Sequence, residues 1–172
     1  MNKAFKIYIA FASAGIFLAG LAYLSIVPRF DRNEEFIAKK QGFTSFDEKK
    51  QFEETIKMLI HDGVKDSKTR KMVAHGLKSF SSSARADLLA RASGFFYDLP
   101  KRNSIETQTQ LLNLIKVSQN DPSARVRSRL AQTLVRFNCA EANGILFQLA
   151  ENDPSDEVRA TAKSTIAERN KK

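Results

Sequence analysis

The chain has 172 residues, 42% hydrophobic and 27% charged, with seven Gly and four Pro. These values suit one modest folded domain plus an accessory segment and exclude a collagen-like or broadly disordered chain. The formal net charge of +9 favours acidic partners: an acidic protein face, anionic lipid headgroups or nucleic acid. A single cysteine, Cys139, excludes an internal disulfide, and one Cys with two His, His61 and His75, does not make a set of four metal ligands. Cys139 closes an apolar helical pattern and reads as a small packing residue. No cofactor or metal is expected.

Residues Ile7 to Val27 carry no charge over 21 positions, between Lys3 and Lys6 on one side and Pro28 and Arg29 on the other. A spanning helix needs roughly 20 apolar residues, so residues 1–27 are predicted to form an N-terminal membrane anchor. A cleaved signal peptide is the competing reading, but its apolar core is shorter, about 7–15 residues, and ends at a small-residue site not evident here. Ala12, Gly15, Ala19 and Ala22 fall on one face of the span. Such a stripe lets another helix approach closely in lipid; Ala and Gly are also simply common in membrane helices. Counting Lys and Arg alone, the C-terminal flank (Arg29, Arg32, Lys39, Lys40) exceeds the tail (Lys3, Lys6). Long domains translocate largely regardless of charge, however. A basic tail before a long domain therefore favours a single-pass protein with its folded part on the extracytoplasmic (periplasmic) side.

Residues 28–44 read as a connector that mixes charges with Phe30, Phe36 and Phe43. These rings lie at the membrane surface or dock onto the first helix beyond; their spacing does not decide which. From residue 45 onward the apolar period is helical throughout. Ser45 with Glu48 is a capping-box start for a helix showing Phe52, Ile56, Leu59 and Ile60 and stopping at Asp62-Gly63. A second helix begins near Ser67 and shows Val73, Ala74, Leu77 and Phe80. A third shows Leu88, Leu89, Ala92, Phe95 and Phe96, ending before Pro100. Asn103 with Glu106 opens a fourth, with Leu111, Leu112 and Ile115. Asp121-Pro122 starts a fifth, packing through Val126, Leu130, Leu134 and Phe137. A short sixth carries Ile145, Leu146 and Leu149, and Asp153-Pro154 starts a seventh with Val158, Ala162 and Ile166.

The last third of the chain repeats itself. Residues 112–138 laid over 144–170 match at nine of 27 positions. The identities include all of Asn120-Asp121-Pro122-Ser123 against Asn152-Asp153-Pro154-Ser155, then Val126-Arg127 against Val158-Arg159. A period of 32 residues is the mark of a stacked helical repeat. A fainter copy places Arg70, Val73, Ala74, Leu77 and Phe80 where Arg127, Leu130, Ala131, Leu134 and Phe137 fall, at an offset of 57 that is no multiple of that period. The last helix has a thin apolar face and polar outer residues (Lys163, Ser164, Glu168, Arg169), as a terminal repeat meeting water requires.

An Asp, then Val-Arg a few residues on, then small and apolar residues at helical spacing, resembles HEAT repeats of the short bacterial kind. Asp121/Val126/Arg127/Ala131/Leu134 and Asp153/Val158/Arg159/Ala162/Ile166 carry the resemblance, over roughly residues 105–169. It implies an all-α chain: a right-handed α-solenoid of about seven helices over 45–172, preceded by one transmembrane helix. It also implies a structural ladder in which Asp121, Arg127, Asp153 and Arg159 link neighbouring repeats.

Solenoids usually bind rather than transform. Arg125, Arg129, Gln132 and Arg136 share one side of the fifth helix, and Lys68, Lys71, His75 and Lys78 share one side of the second. Since the second helix of each HEAT pair lines the inner surface, the two sets are expected to form one basic strip that binds a partner; a solvated helix face is the plain alternative. The function expected is that of a membrane-anchored, non-enzymatic scaffold or accessory subunit with a protein partner in or at the membrane. Some HEAT-like proteins are DNA glycosylases and others are bilin lyases. The chain has no Trp, and its aromatics fit core positions, leaving little for base stacking. No activated nucleophile, His/carboxylate set or Gly-rich phosphate loop points to an enzyme.

Overall fold

A computed structural model of the chain describes residues 33–94 and 105–171. All regular structure among them is helical. Helix α1 covers 33–40; α2 is Phe46–His61, α3 Ser67–Ser79, α4 Ser82–Gly94 and α5 Ile105–Ile115. A 3-10 turn, Lys116–Asn120, leads to α6 (Ala124–Leu134), α7 (Ala140–Asn152) and α8 (Asp156–Arg169). The all-α expectation holds, and α2 to α8 fall where the seven periodic segments place them. Within the connector, α1 is the addition. Its eight residues are too short to show a helical period.

Local chemistry explains the ends. Ser45 Oγ accepts the Glu48 N–H at 3.1 Å to start α2, with Asp47 and Glu48 in the first turn, where carboxylates suit the helix dipole. At its other end the N–H groups of Asp62 and Gly63 both donate to Met58 O, at 2.8 and 3.3 Å. Gly63 sits at φ +71°, where a side chain would be strained. Asp66 caps α3 by accepting the Thr69 N–H at 2.7 Å. The two Asp-Pro turns differ from the simple cap expected. The N-caps of α6 and α8 are Ser123 and Ser155. Asp121 and Asp153 lie two residues earlier and accept the Ser123 and Ser155 N–H groups at 2.8 and 2.9 Å. Each makes an Asx turn that aims the chain into its helix.

The helices pack in two rows. In one, α2 lies against α4, α4 against α6 and α6 against α8; in the other, α3 lies against α5, and the 3-10 turn after α5 reaches α7. A continuous core runs between the rows from Phe52 and Leu59 through Leu88, Leu112 and Leu130 to Leu146, Val158 and Ala162. Gly76 is a point of close approach between α3 and α4. A Cβ there would stand 2.6 Å from Cε2 of Phe80 and 3.0 Å from Cδ2 of Leu88. Phe80 is buried and its ring packs at a tilt of 58° against Phe52, 6.2 Å between centres, so it cannot swing aside freely. Gly76→Ala is expected to lower stability by about 1 kcal/mol, overpacking outweighing the helix propensity gained; the urea midpoint measures it.

The predicted span Ile7–Val27, with Ala12, Gly15, Ala19 and Ala22, lies outside the described residues, as do Phe95, Phe96 and the Asn103 cap. No helix among the described residues is long and apolar enough to cross a membrane.

Candidate functional site

Most of the buried charge in the described part of the chain serves one repeated contact. Arg127, on the first turn of α6, reaches forward to Asp153 in the turn before α8. Its Nε donates to Oδ2 at 2.7 Å and its Nη2 to Oδ1 at 3.0 Å. The same guanidinium reaches back through Nη1 to the carbonyl of Asp121 at 2.6 Å. Arg159, one repeat on, makes the same backward bond to the Asp153 carbonyl. The carboxylate of Asp121 is met from the other side by Arg85 on α4. Arg85 Nη2 donates to Oδ1 at 3.0 Å, and its Nη1 donates back to the Phe80 carbonyl. Arg85 Nε stands 2.8 Å from Oδ2, but its N–H is not aimed there, so this rung is an ion pair with one well-formed bond where the Arg127 rung has two.

Arg85 is the residue that the sequence pattern missed. The Arg85–Asp121 rung spans 36 residues and the Arg127–Asp153 rung 26. A fixed period of 32 therefore cannot find both. Arg70, the candidate of the fainter copy, takes only the backward half of the role. It donates to the Val64 and Lys65 carbonyls at 2.9 and 2.6 Å.

The rungs perturb their own ionisation. Burial pushes the Asp153 carboxyl up. The hydrogen bonds from Arg127 and the Ser155 N–H, with the charges of Arg127 and Arg159, outweigh it and leave the group below the usual carboxylate range. Arg127 moves up, held by its bond to Asp153 against the opposing effect of burial. Both stay charged at neutral pH, so this network binds helices together rather than exchanging protons.

The basic side chains lie outside it. Lys68, Lys71, His75 and Lys78 are exposed on α3; Arg125 and Gln132 are exposed on α6, and Arg129 is half-buried and donates to Gln132 Oε1 at 3.0 Å, whereas Arg136, expected on the same helix, is exposed in the turn beyond its end at Leu134. The two sets stand on helices of different rows, since α3 packs on α2, α4 and α5 whereas α6 packs on α4, α7 and α8. The α6 set is thus a self-contained basic face.

Two of the concavities among the described residues lie over the helix stack and at the rung. A groove of about 950 Å³ runs over α2 and α4, with a floor of Phe43, Phe52, Ile56 and Ile60 and a rim that includes Lys57, Asp87 and Arg91. In the floor Phe43 stands 5.3 Å from Phe52, with the Arg91 guanidinium 6.0 Å from the Phe52 ring centre; Phe52 in turn packs on the buried Phe80 at 6.2 Å. A smaller polar cleft of about 270 Å³ opens between the two Asn-Asp-Pro turns, lined by Gln119, Asn120, Gln148 and Asn152 around the Arg127–Asp153 rung.

Cys139 departs from its expected packing role. It is exposed, with extended backbone, at the cap position before α7. Among the described residues no group of three or more His, Cys, Asp or Glu is placed to hold a metal ion. In comparisons with known proteins, no family model, no curated protein and no solved structure matches the chain.

Proposed function

We propose that this protein is a membrane-anchored, non-enzymatic interaction protein, an adaptor or accessory subunit of a membrane complex. On this reading residues 7–27 span the bilayer and the helices from residue 45 onward are short HEAT-like repeats stacked as a right-handed solenoid on the extracytoplasmic side. The observation that carries it is the recurring rung. Arg85–Asp121 and Arg127–Asp153 join successive helices of one row by the same contact, which is how a chain of repeats is tied into one stiff body. A stiff row of helices presents an extended surface, and extended surfaces suit partner binding.

The α6 face is the proposed contact for an acidic partner, because Arg125 and Arg129 stand on a helix whose opposite side is committed to the core, with Arg136 in the turn just beyond it. The chain's net charge of +9 favours the same sign of partner. The test is affinity purification of the full chain in mild detergent, with mass spectrometry of what comes with it. Arg125→Glu, Arg129→Glu and Arg136→Glu together are expected to abolish recovery of a salt-sensitive partner while the helical circular dichroism stays unchanged. Equal recovery after the reversal would remove this face from the reading, and a lone monomer would count against the subunit role itself.

A further inference from the structure

The sequence leaves two fates open for the connector phenylalanines, and the structure separates Phe36 from Phe43, while Phe30 lies outside the described residues. Phe43 docks, its ring 5.3 Å from Phe52. Phe36 does not: it is 62% exposed, and Ile37 beside it is 42% exposed. Both belong to α1. At 100° per residue, Phe36, Ile37 and Lys40 share one side of that helix, while Ala38, fully buried, faces the other way. Single exposed apolar side chains are ordinary. Two adjacent ones on a short helix held rigidly by its opposite face are a directed surface.

That hold is specific. Glu35 Oε2 accepts the Phe46 N–H at 2.7 Å, and the Phe43 N–H donates to the Ala38 carbonyl at 3.1 Å. The direction in which Phe36 and Ile37 point is therefore fixed relative to α2 and the rest of the stack.

We infer that the Phe36–Ile37–Lys40 face of α1 is a foot that rests in the interfacial layer of an anionic bilayer and sets the tilt of the repeat domain on the membrane. The inference rests on the anchor reading and adds to it a named contact. Three observations select lipid over other occupants. The uncharged run ends at Val27, nine residues before Phe36, so even a fully extended chain separates them by no more than about 30 Å. Lys40 is exposed on the same side as the apolar pair, while Lys39 is 3.4 Å from Glu35, and in sequence Arg29 to Lys40 holds four Lys and Arg against Asp31, Glu34 and Glu35; a cation beside an apolar pair is the combination by which interfacial helices bind anionic headgroups. Finally, two side chains fall far short of the roughly 800 Å² per partner of a stable protein interface, whereas a bilayer accepts a small apolar wedge.

The chain contains no Trp, so Phe36→Trp creates a sole reporter. The full chain is reconstituted in vesicles of phosphatidylcholine with phosphatidylglycerol and washed with alkaline carbonate. Phe147→Trp, at an exposed position on α7, serves as the comparison. The expected result is a blue-shifted emission for Phe36→Trp. Quenching by brominated lipid should be several-fold stronger than for Phe147→Trp, and quenching by aqueous acrylamide several-fold weaker. Equal acrylamide quenching of the two variants in carbonate-resistant vesicles would overturn the foot and leave the anchor standing. Shielding of Phe36→Trp from both quenchers would also overturn it, by showing a protein covering the face. Release of the chain by carbonate would remove the anchor and the foot together.

Discussion

Asp153→Ala is expected to lower the free energy of unfolding by about 3–5 kcal/mol, because it leaves the guanidinium of Arg127 buried and without its anion. Asp153 is 5% exposed and Arg127 8%, so water cannot take over the lost bonds without opening the junction between α6 and α8. The loss goes beyond the pair, since Asp153 Oδ1 also receives the Ser155 N–H that sets the entry to α8. Replacing both partners by apolar residues of similar bulk, Arg127→Met with Asp153→Leu, is expected to cost far less than the single change. Urea denaturation at neutral pH distinguishes the two outcomes. The rung also has a pH signature. The Asp153 carboxyl is lowered in the folded chain, so its contribution is complete above the unfolded value of about 4 and is lost as pH falls through the folded value. Thermal unfolding of the natural chain should therefore shift downward below about pH 4, and the doubly apolar variant should lose part of that shift.

Glu48→Ala is expected to cost about 3 kcal/mol, the next largest effect, since hydrogen bonds to a charged acceptor are worth more than neutral ones and their loss strands buried donors. In sequence Glu48 looks like half of a reciprocal capping box. In the fold its carboxylate turns instead to Thr44, whose N–H and Oγ1 both donate to Oε2, and to the N–H of Ser81 at the start of α4, 33 residues away. One side chain thereby joins the connector, α2 and α4. Burial pushes the carboxyl up, but the donors at Ser81 and Thr44 bring it below its ordinary value. The sign is that of Asp153: stabilisation present above the unfolded value of about 4.3 and lost as pH falls through the folded one. Glu48→Gln keeps one acceptor oxygen and should cost roughly half as much as Glu48→Ala at neutral pH, with a flatter acid limb. A steep acid limb retained in Glu48→Gln would assign that limb to other carboxylates.

Much of the helical outline was legible because helix ends are written in local chemistry. Ser45, Gly63 and the two Asp-Pro turns act through atoms a few residues apart, and each marks an end within a residue or two of its place in the fold. The repeat was legible only where two copies share one length. Arg85 escaped because it is preceded by Ala84 rather than Val, follows no Asp-Pro turn, and meets its acid 36 residues on instead of 26. A rung is set by distance between stacked helices, and linker length can change without moving either end of it. The row to which a helix belongs escaped for the same reason: α3 and α6 carry similar basic faces, and nothing within either helix says that they lie in different rows. Cys139 was misread because an apolar run just before it, ending in Phe137, suggested continuation, where the chain instead turns outward to begin α7.

The arginine contact is directional: Arg85 and Arg127 both reach forward along the chain for their anion. Each takes it from the turn before the next helix of the row, whereas no such turn follows Arg159 among the described residues. Arg159 is the exception. It keeps the backward bond to the Asp153 carbonyl and folds its free arm onto Asp156 of its own helix, a carboxylate 92% exposed and hence weakly binding. The outer partner of Arg159 is thus drawn from its own helix. A fusion that adds another Asn-Asp-Pro-Ser turn after residue 171, with Asp156 replaced, would ask whether Arg159 can take up the forward anion that Arg85 and Arg127 have, as a monomer is joined through a matching linkage.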